Sequence, residues 1–153
     1  MANPNFSSIL DKPASNIERP KPLPVGTYLT IIKGLPRYDS SSKKQTPFIE
    51  FTHEFIQAQD DVDAEELEAL GGLRNKDGTA KQMKNTFYLT EASGWRLREF
   101  LEALGFDFED GVTTMRQAAE ESANSEVYVT IRHEASDDGK SVFAKIGGVA
   151  KVG

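Results

Sequence analysis

Residues 47–57 have the sequence PFIEFTHEFIQ, in which apolar residues alternate with polar ones over the length of one β-strand. Ile49, Phe51 and Phe55 fall on one side together with His53. A period of two is typical of a strand that buries one face. We therefore predict a strand with one buried face, on which His53 is a hydrogen-bonded core residue rather than a catalytic group.

Strand patterns continue on both sides of this segment. Runs of β-branched and aromatic residues bounded by glycine and proline predict further strands. Residues 37–46 are polar and predict a hairpin loop. Asp138-Gly139 predicts the tight turn of a closing hairpin. The predicted strands are residues 26–33, 47–57, 85–90, 127–132 and 142–146.

Three helices are predicted between the strands. Asp63 is a typical N-cap and begins a short acidic helix that ends at Gly71. A second helix covers residues 93–104, and a third begins at Thr113 or Thr114 and ends near Ala123, with Met115, Ala118 and Ala119 facing inward. The second helix is amphipathic. We predict that its apolar stripe is formed by Trp95, Leu97, Phe100, Leu101 and Leu104.

The order of three strands, a helix and a closing hairpin predicts a mainly β fold with helices, of the α+β class. It matches an OB-fold-like, five-stranded Greek-key barrel with a helix between strands 3 and 4. Such barrels commonly bind single-stranded nucleic acid on a strand face. Residues 25–153 form this predicted domain, with an acidic helical insertion at about 60–72. Residues 1–24 hold five of the seven prolines and predict an extended N-terminal arm.

The composition argues against several classes of protein. The chain has 153 residues, of which 38% are hydrophobic, so one domain with one core is expected. It has no cysteine and two histidines, which excludes thiol chemistry and argues against a metal centre. Short motifs of hydrolases, nucleotide-binding loops and metalloproteases are absent. We expect a non-catalytic protein with no cofactor and no metal.

The chain begins without a signal-peptide pattern, and no apolar run approaches the length of a membrane span. We expect a cytoplasmic protein that does not associate with membranes. The formal net charge is −6, which argues against a surface that binds polyanions everywhere. The acids are concentrated in residues 58–70 and 91–126, while the strand segments are neutral to basic. A local basic groove is therefore compatible with the overall charge.

Aromatic residues and cations occur together on the strand segments. A groove for single-stranded nucleic acid needs rings on which bases stack and cations that follow the phosphates. On this basis we predict nucleic-acid contacts for Arg37, Tyr38, Lys43 and Lys44 around the first hairpin loop, Lys81, Lys84 and Tyr88 around the third strand, Tyr128 and Arg132 on the fourth, and Lys145 on the fifth.

Several stretches also resemble a family of small bacteriophage proteins, the OB-fold single-stranded DNA-binding proteins of replication and recombination modules. The resemblance covers about residues 23–148. It rests on LPVGTY at 23–28, PFIEF at 47–51 after a basic loop, the helix SGWRLREFLEALG at 93–105, and the closing hairpin. It implies a protein that coats exposed single strands without enzymatic activity. It also implies phage replication or recombination proteins as partners, and we expect a homo-oligomer.

Two other classes remain open at this stage. A phage virion protein, such as a head decoration or connector component, would use the barrel as a scaffold and the proline-rich arm to contact neighbouring subunits. A small inhibitor that mimics DNA would use the acids, although these lie on two separate segments. A fold of this kind hosts unrelated functions, so it does not decide between them.

Overall fold

The computed structural model describes Leu10 and residues 21–152. The predicted arm therefore lies mostly outside the described residues, which include only its last part, from Lys21. The strands are β1 (Gly26–Ile32), β2 (Arg37–Ser40), β3 (Pro47–Ala58), β4 (Gln82–Tyr88), β5 (Glu126–Ala135) and β6 (Val142–Lys151), and the helices are α1 (Ala64–Ala69), α2 (Gly94–Ala103) and α3 (Met115–Glu120). The predicted mainly β fold with helices is confirmed.

The six strands form one antiparallel sheet. Its hydrogen-bonded path runs β4-β3-β1-β5-β6, and β2 pairs with the beginning of β3 on the edge that β1 also uses. Each antiparallel step reverses the direction, so the end strands β4 and β6 run the same way. Within the described residues β4 pairs only with β3 and β6 only with β5, and the sheet is not closed.

One predicted loop contains a strand. Residues 37–46 were expected to be a polar hairpin connection, but Arg37–Ser40 pairs with Pro47–Glu50 as β2. All four residues of β2 are exposed, so no apolar alternation marks them in the sequence. Their backbone pairing with β3 is what makes them a strand.

The core consists of two neighbouring clusters of buried side chains. In one, α2 packs Leu97, Phe100 and Leu101 against Ile49 and Phe51 of β3. The other lies between β1, β3 and β5, and its buried members are Tyr28, Phe55, Val62, Val127, Val129 and Ile131. The alternation that predicted a buried face of β3 is confirmed, since every second residue from Ile49 to Phe55 is buried.

Tyr28 ties the chain before β1 to the core. The side chain is fully buried, and its hydroxyl donates a hydrogen bond to the carbonyl oxygen of Pro24 at 2.7 Å. Its ring meets Phe55 edge to face, with 5.3 Å between centroids. Burial, assisted by the negative charges of Asp61 and Glu66, raises the pKa of Tyr28 to about 12. The hydroxyl therefore remains a donor throughout the physiological range.

Replacing Tyr28 by phenylalanine should lower the free energy of unfolding by about 1 to 2 kcal/mol, because a buried carbonyl loses its donor. Chemical unfolding measures the change. Tyr38→Phe is the matched control, because Tyr38 is exposed and its hydroxyl has no hydrogen-bond partner among the described residues. The control should stay within about 0.5 kcal/mol of the wild type. Equal losses in both variants would contradict this role of the buried hydroxyl.

A short polar network is enclosed in the core beside Phe100. His53 and Thr30 are both fully buried, and His53 Nδ1 lies 3.0 Å from Thr30 Oγ1. Thr30 donates its own proton to the carbonyl of Val127 at 3.1 Å. The imidazole must therefore carry its proton on Nδ1 and accept at Nε2, where the Asn85 amide nitrogen lies 3.5 Å away. His53 is a neutral core residue, as the sequence predicted.

Candidate nucleic-acid interface

A cleft of about 650 Å³ separates the two end strands of the sheet, and one side of α2 forms one of its walls. We call it the seam cleft. Its lining residues are Asn85, Thr86, Phe87, Tyr88, Ser93, Trp95, Arg96, Glu99, Phe100, Arg132, Lys145, Ile146, Gly147, Gly148 and Val149. Three of the residues predicted to contact nucleic acid, Tyr88, Arg132 and Lys145, therefore meet at one site although they come from distant parts of the chain.

The seam cleft is locally basic. Arg96, Arg132 and Lys145 line it together with one acid, Glu99. Lys145 Nζ also lies 3.3 Å from a carboxylate oxygen of Glu134. Across residues 21–152, the recorded ion pairs include neither Arg96 nor Arg132. These two guanidinium groups are the positive charges of the cleft that form no ion pair within 4 Å in the described part of the chain.

Two exposed rings border the same cleft. Trp95 is 55% exposed, and the guanidinium carbon of Arg96 lies 5.3 Å from the centroid of its ring. Tyr88 is 48% exposed and meets Phe48 edge to face at 6.1 Å. The cleft thus offers aromatic surface beside cations, which is the combination that single-stranded nucleic acid requires.

A β-bulge shapes the wall formed by β6. Thr130 pairs with Gly148 and Ile131 pairs with Ile146, so Gly147 is the extra residue of the bulge. The side chain of Arg132 crosses this glycine. A Cβ placed on Gly147 would lie 2.2 Å from Arg132 Nε and 2.8 Å from its Cδ. Only glycine at this position leaves room for Arg132 to lie as it does.

The outer face of β2, β3 and β4 carries further predicted residues, but its charges are compensated. Arg37 contacts Asp39 at 2.6 Å and Glu50 at 3.2 Å, and its guanidinium lies 5.2 Å from the ring centroid of Phe48. The hydrogen bond to Glu50 raises the pKa of Arg37. Lys84 donates to the hydroxyl of Thr52 at 2.8 Å. This face adjoins Tyr88 but is not a basic groove.

Lys43 and Lys44 are exposed in the loop between β2 and β3. The loop is closed by a hydrogen bond from the amide of Ser41 to the carbonyl of Thr46 at 2.8 Å. It lies at the end of the sheet where Tyr88 lies, because the residue after Tyr88 donates its amide to the carbonyl of Pro47. The two lysines therefore lie at the same end of the sheet as Tyr88, but they do not line the seam cleft.

The remaining predicted residues lie elsewhere. Tyr38 lies on the face of β2 opposite to Arg37, with the Arg116 guanidinium 5.9 Å from its ring centroid. Lys81 donates to the carbonyl of Leu70 at 3.0 Å and so stabilises the end of α1. Tyr128 borders a shallow depression that also contains Asp60 and Asp61. The structure does not bring these three residues to the seam cleft.

Trp95 corrects the predicted apolar stripe of α2. The helical spacing predicts it in one stripe with Leu97, Phe100 and Leu101, but those three are buried and Trp95 is exposed. At about 100° per residue, Trp95 falls on the opposite side of the helix from the centre of that stripe. The helical angle alone therefore predicts that Trp95 lies outside the buried stripe. Arg96, the other residue that the sequence analysis missed, carried no signal beyond its charge.

The acidic segment lies away from the seam cleft, since none of residues 60–68 lines it. Asp63 caps α1 as predicted, accepting from the amides of Glu65 and Glu66. Asp61 accepts from the amide and hydroxyl of Thr27, each at 2.8 Å, and these hydrogen bonds lower the pKa of Asp61. The segment therefore fastens the loop after β3 to the beginning of β1.

The structure gives few starting points for other chemistry. His133 Nε2 lies 2.7 Å from the carbonyl oxygen of Leu23, so it ties β5 to the chain before β1. In the described part of the chain, no three His, Asp or Glu side chains are grouped so that they would hold a metal ion. No helix among those residues is long and apolar enough to cross a bilayer.

The sequence matches no model of a known protein family, and a search of curated proteins finds no significant similarity.

Proposed function

We propose that this protein is a non-catalytic single-stranded DNA-binding protein whose seam cleft receives the strand. One observation carries the proposal. Arg96, Arg132, Lys145, Tyr88 and Trp95 come together around one concave site in a chain whose formal net charge is −6. Since the overall field repels polyanions, a local concentration of cations and rings is the feature that would attract and hold one.

The fold proposed for this function is an OB-type, partly open barrel. β1 and β2 both pair with one edge of β3 and are separated by a turn at Gly34, so together they correspond to one bent strand. The sheet then has five strands in the order β4-β3-β1-β5-β6, with helices between β4 and β5. The parallel directions of β4 and β6 fit a barrel whose last pairing is left open. The seam cleft occupies that opening.

Single-stranded DNA suits the cleft better than duplex DNA does. Stacking on Trp95 and Tyr88 needs bases whose faces are free, and a duplex keeps its bases stacked on each other. Duplex binding through phosphates alone would need a broad basic surface. The outer face beside Tyr88 is instead balanced by Asp39, Glu50 and Glu54.

The biological setting follows from the sequence resemblance. We place the protein in a phage replication or recombination module in the host cytoplasm, where it would coat exposed single strands as a homo-oligomer. Polymerases, helicases or recombinases are the partners that such a role implies. None of these roles requires a catalytic group or a cofactor.

Fluorescence anisotropy of a labelled oligo-dT tests the proposal. Three cations on phosphates of a single strand give a salt slope of about −2, so affinity should fall about 20-fold between about 50 mM and about 200 mM salt. A duplex of the same length should bind much more weakly. Absence of binding at micromolar protein in low salt would overturn the proposal and favour the alternative of a phage virion component. Equal binding of duplex and single strand would contradict the role of stacking.

A further inference from the structure

Trp95 and Arg132 reach the seam cleft from two different walls, one on α2 and the other on β5. We propose that the cleft holds one unpaired base against the indole of Trp95, while Arg132, lying across Gly147, contacts the adjoining phosphate. This inference rests on the proposed function and assigns the contacts within it.

Trp95 is suited to stacking because of where it lies on α2. Leu97, Phe100 and Leu101 are buried in the core and hold α2 against the sheet. The indole of Trp95 is not part of this buried cluster. More than half of the tryptophan surface remains exposed, at 55%. Arg96, whose guanidinium lies 5.3 Å from the ring centroid, adds a positive charge at the ring. A base stacked on the indole would place its phosphates near that charge.

The wall across from α2 leaves space for a base. Gly148 lines it without a side chain, and a Cβ there would meet no atom within 4 Å. Within the described residues the facing edges of β4 and β6 are unpaired, so they present backbone N–H and C=O groups. Such groups can donate and accept hydrogen bonds at the edge of an unpaired base. The cleft thus combines a ring for the face of a base with polar backbone for its edge.

The position of Arg132 depends on the absence of a side chain at Gly147. The Cβ of any other residue would lie 2.2 Å from its Nε, a distance that forces the guanidinium to move. Gly148 provides a matched comparison, since a Cβ there meets no atom within 4 Å. Gly147→Ala therefore displaces Arg132 without changing any charge, and Gly148→Ala does not.

The chain has one tryptophan, so its intrinsic fluorescence reports on Trp95 alone. We expect oligo-dT to quench this emission in step with the rise in anisotropy of the labelled strand. Inorganic polyphosphate, which has charges but no bases, should leave the emission unchanged. If anisotropy rises while the emission stays constant, the stacking inference is overturned and the proposed function stands. If anisotropy does not rise at all, the proposed function itself fails.

Variants test the two contacts separately. Trp95→Ala should weaken oligo-dT binding about 10-fold, and Trp95→Phe should restore most of it. Phe143→Ala removes another exposed ring of β6 that lies outside the cleft, and it should change affinity less than about twofold. Gly147→Ala should weaken binding about as much as Arg132→Ala, with no further loss in the double variant. Additive losses in the double variant would overturn the placement of Arg132.

Discussion

Lowering the pH from 7 to 5 should remove about 2 kcal/mol from the free energy of unfolding, and about 3 kcal/mol should be lost by pH 4. The cause is His53, whose pKa is lowered by burial from 6.5 to about 4. Between these values the unfolded chain binds a proton that the folded protein does not bind. The stabilisation is therefore complete above about pH 6.5 and is lost as the pH falls towards 4.

The hydrogen bonds of His53, like its burial, favour the neutral imidazole over the protonated one. Nε2 accepts from the Asn85 amide, so a second ring proton would turn this acceptor into a donor that faces another donor. Thr30 cannot compensate, because its hydroxyl is already engaged between Nδ1 and the carbonyl of Val127. Protonation would thus cost the folded state both desolvation and a hydrogen bond.

Urea unfolding at pH 5, 6 and 7 measures this dependence. This pH range is chosen because exposed carboxyls with lowered pKa values, such as Asp77 and Asp110, lose their contribution to stability only at lower pH. His53→Asn should flatten the pH dependence, and His133→Gln, which leaves His53 in place, should keep it. An NMR titration of the wild type provides a second measurement if His53→Asn does not fold. Protonation of the His53 ring above pH 6 would contradict the prediction.

The sequence was sufficient to predict the elements whose side chains alternate or follow a helical stripe. The alternation from Ile49 to Phe55 predicted the buried face of β3, and Asp138-Gly139 predicted the β5–β6 turn, where Gly139 has a φ of 70°. Strand β2 escaped prediction because its polar residues are held by backbone pairing alone. A local sequence pattern predicts a strand or a helix only where burial requires apolar side chains at a regular spacing.

The seam cleft could be predicted only in part. Its walls lie about 60 residues apart in sequence and meet because the sheet turns through β3, β1 and β5. The sequence predicted nucleic-acid contacts for Arg132 and Lys145. It predicted the same for Lys81, whose ammonium group instead donates a hydrogen bond to a carbonyl at the end of α1. A lysine that caps a helix and one that faces a ligand look identical in sequence. The contact between Gly147 and Arg132 depends on the bulge, for which the sequence offered only two adjacent glycines.

Reversing the two guanidinium charges of the seam cleft should have the largest effect on binding. Arg96→Glu combined with Arg132→Glu is expected to weaken oligo-dT binding about 100-fold or more, because two attractive phosphate contacts become repulsive. The salt slope should also become shallower by about 1.4, the value for two lost contacts on a single strand. Both side chains are exposed, so the thermal midpoint should change little.

A control with the same change in net charge separates position from overall electrostatics. Lys21→Glu combined with Lys76→Glu alters two exposed lysines that do not line the cleft. Charges farther from the strand than the screening length of about 8 Å act weakly at physiological salt, so this variant should lose less than about fivefold. Comparable losses in the two double variants would mean that the whole surface governs binding. A large loss confined to the cleft variant, with a shallower salt slope, would support a path of the DNA along the seam cleft, where Arg96 and Arg132 lie together.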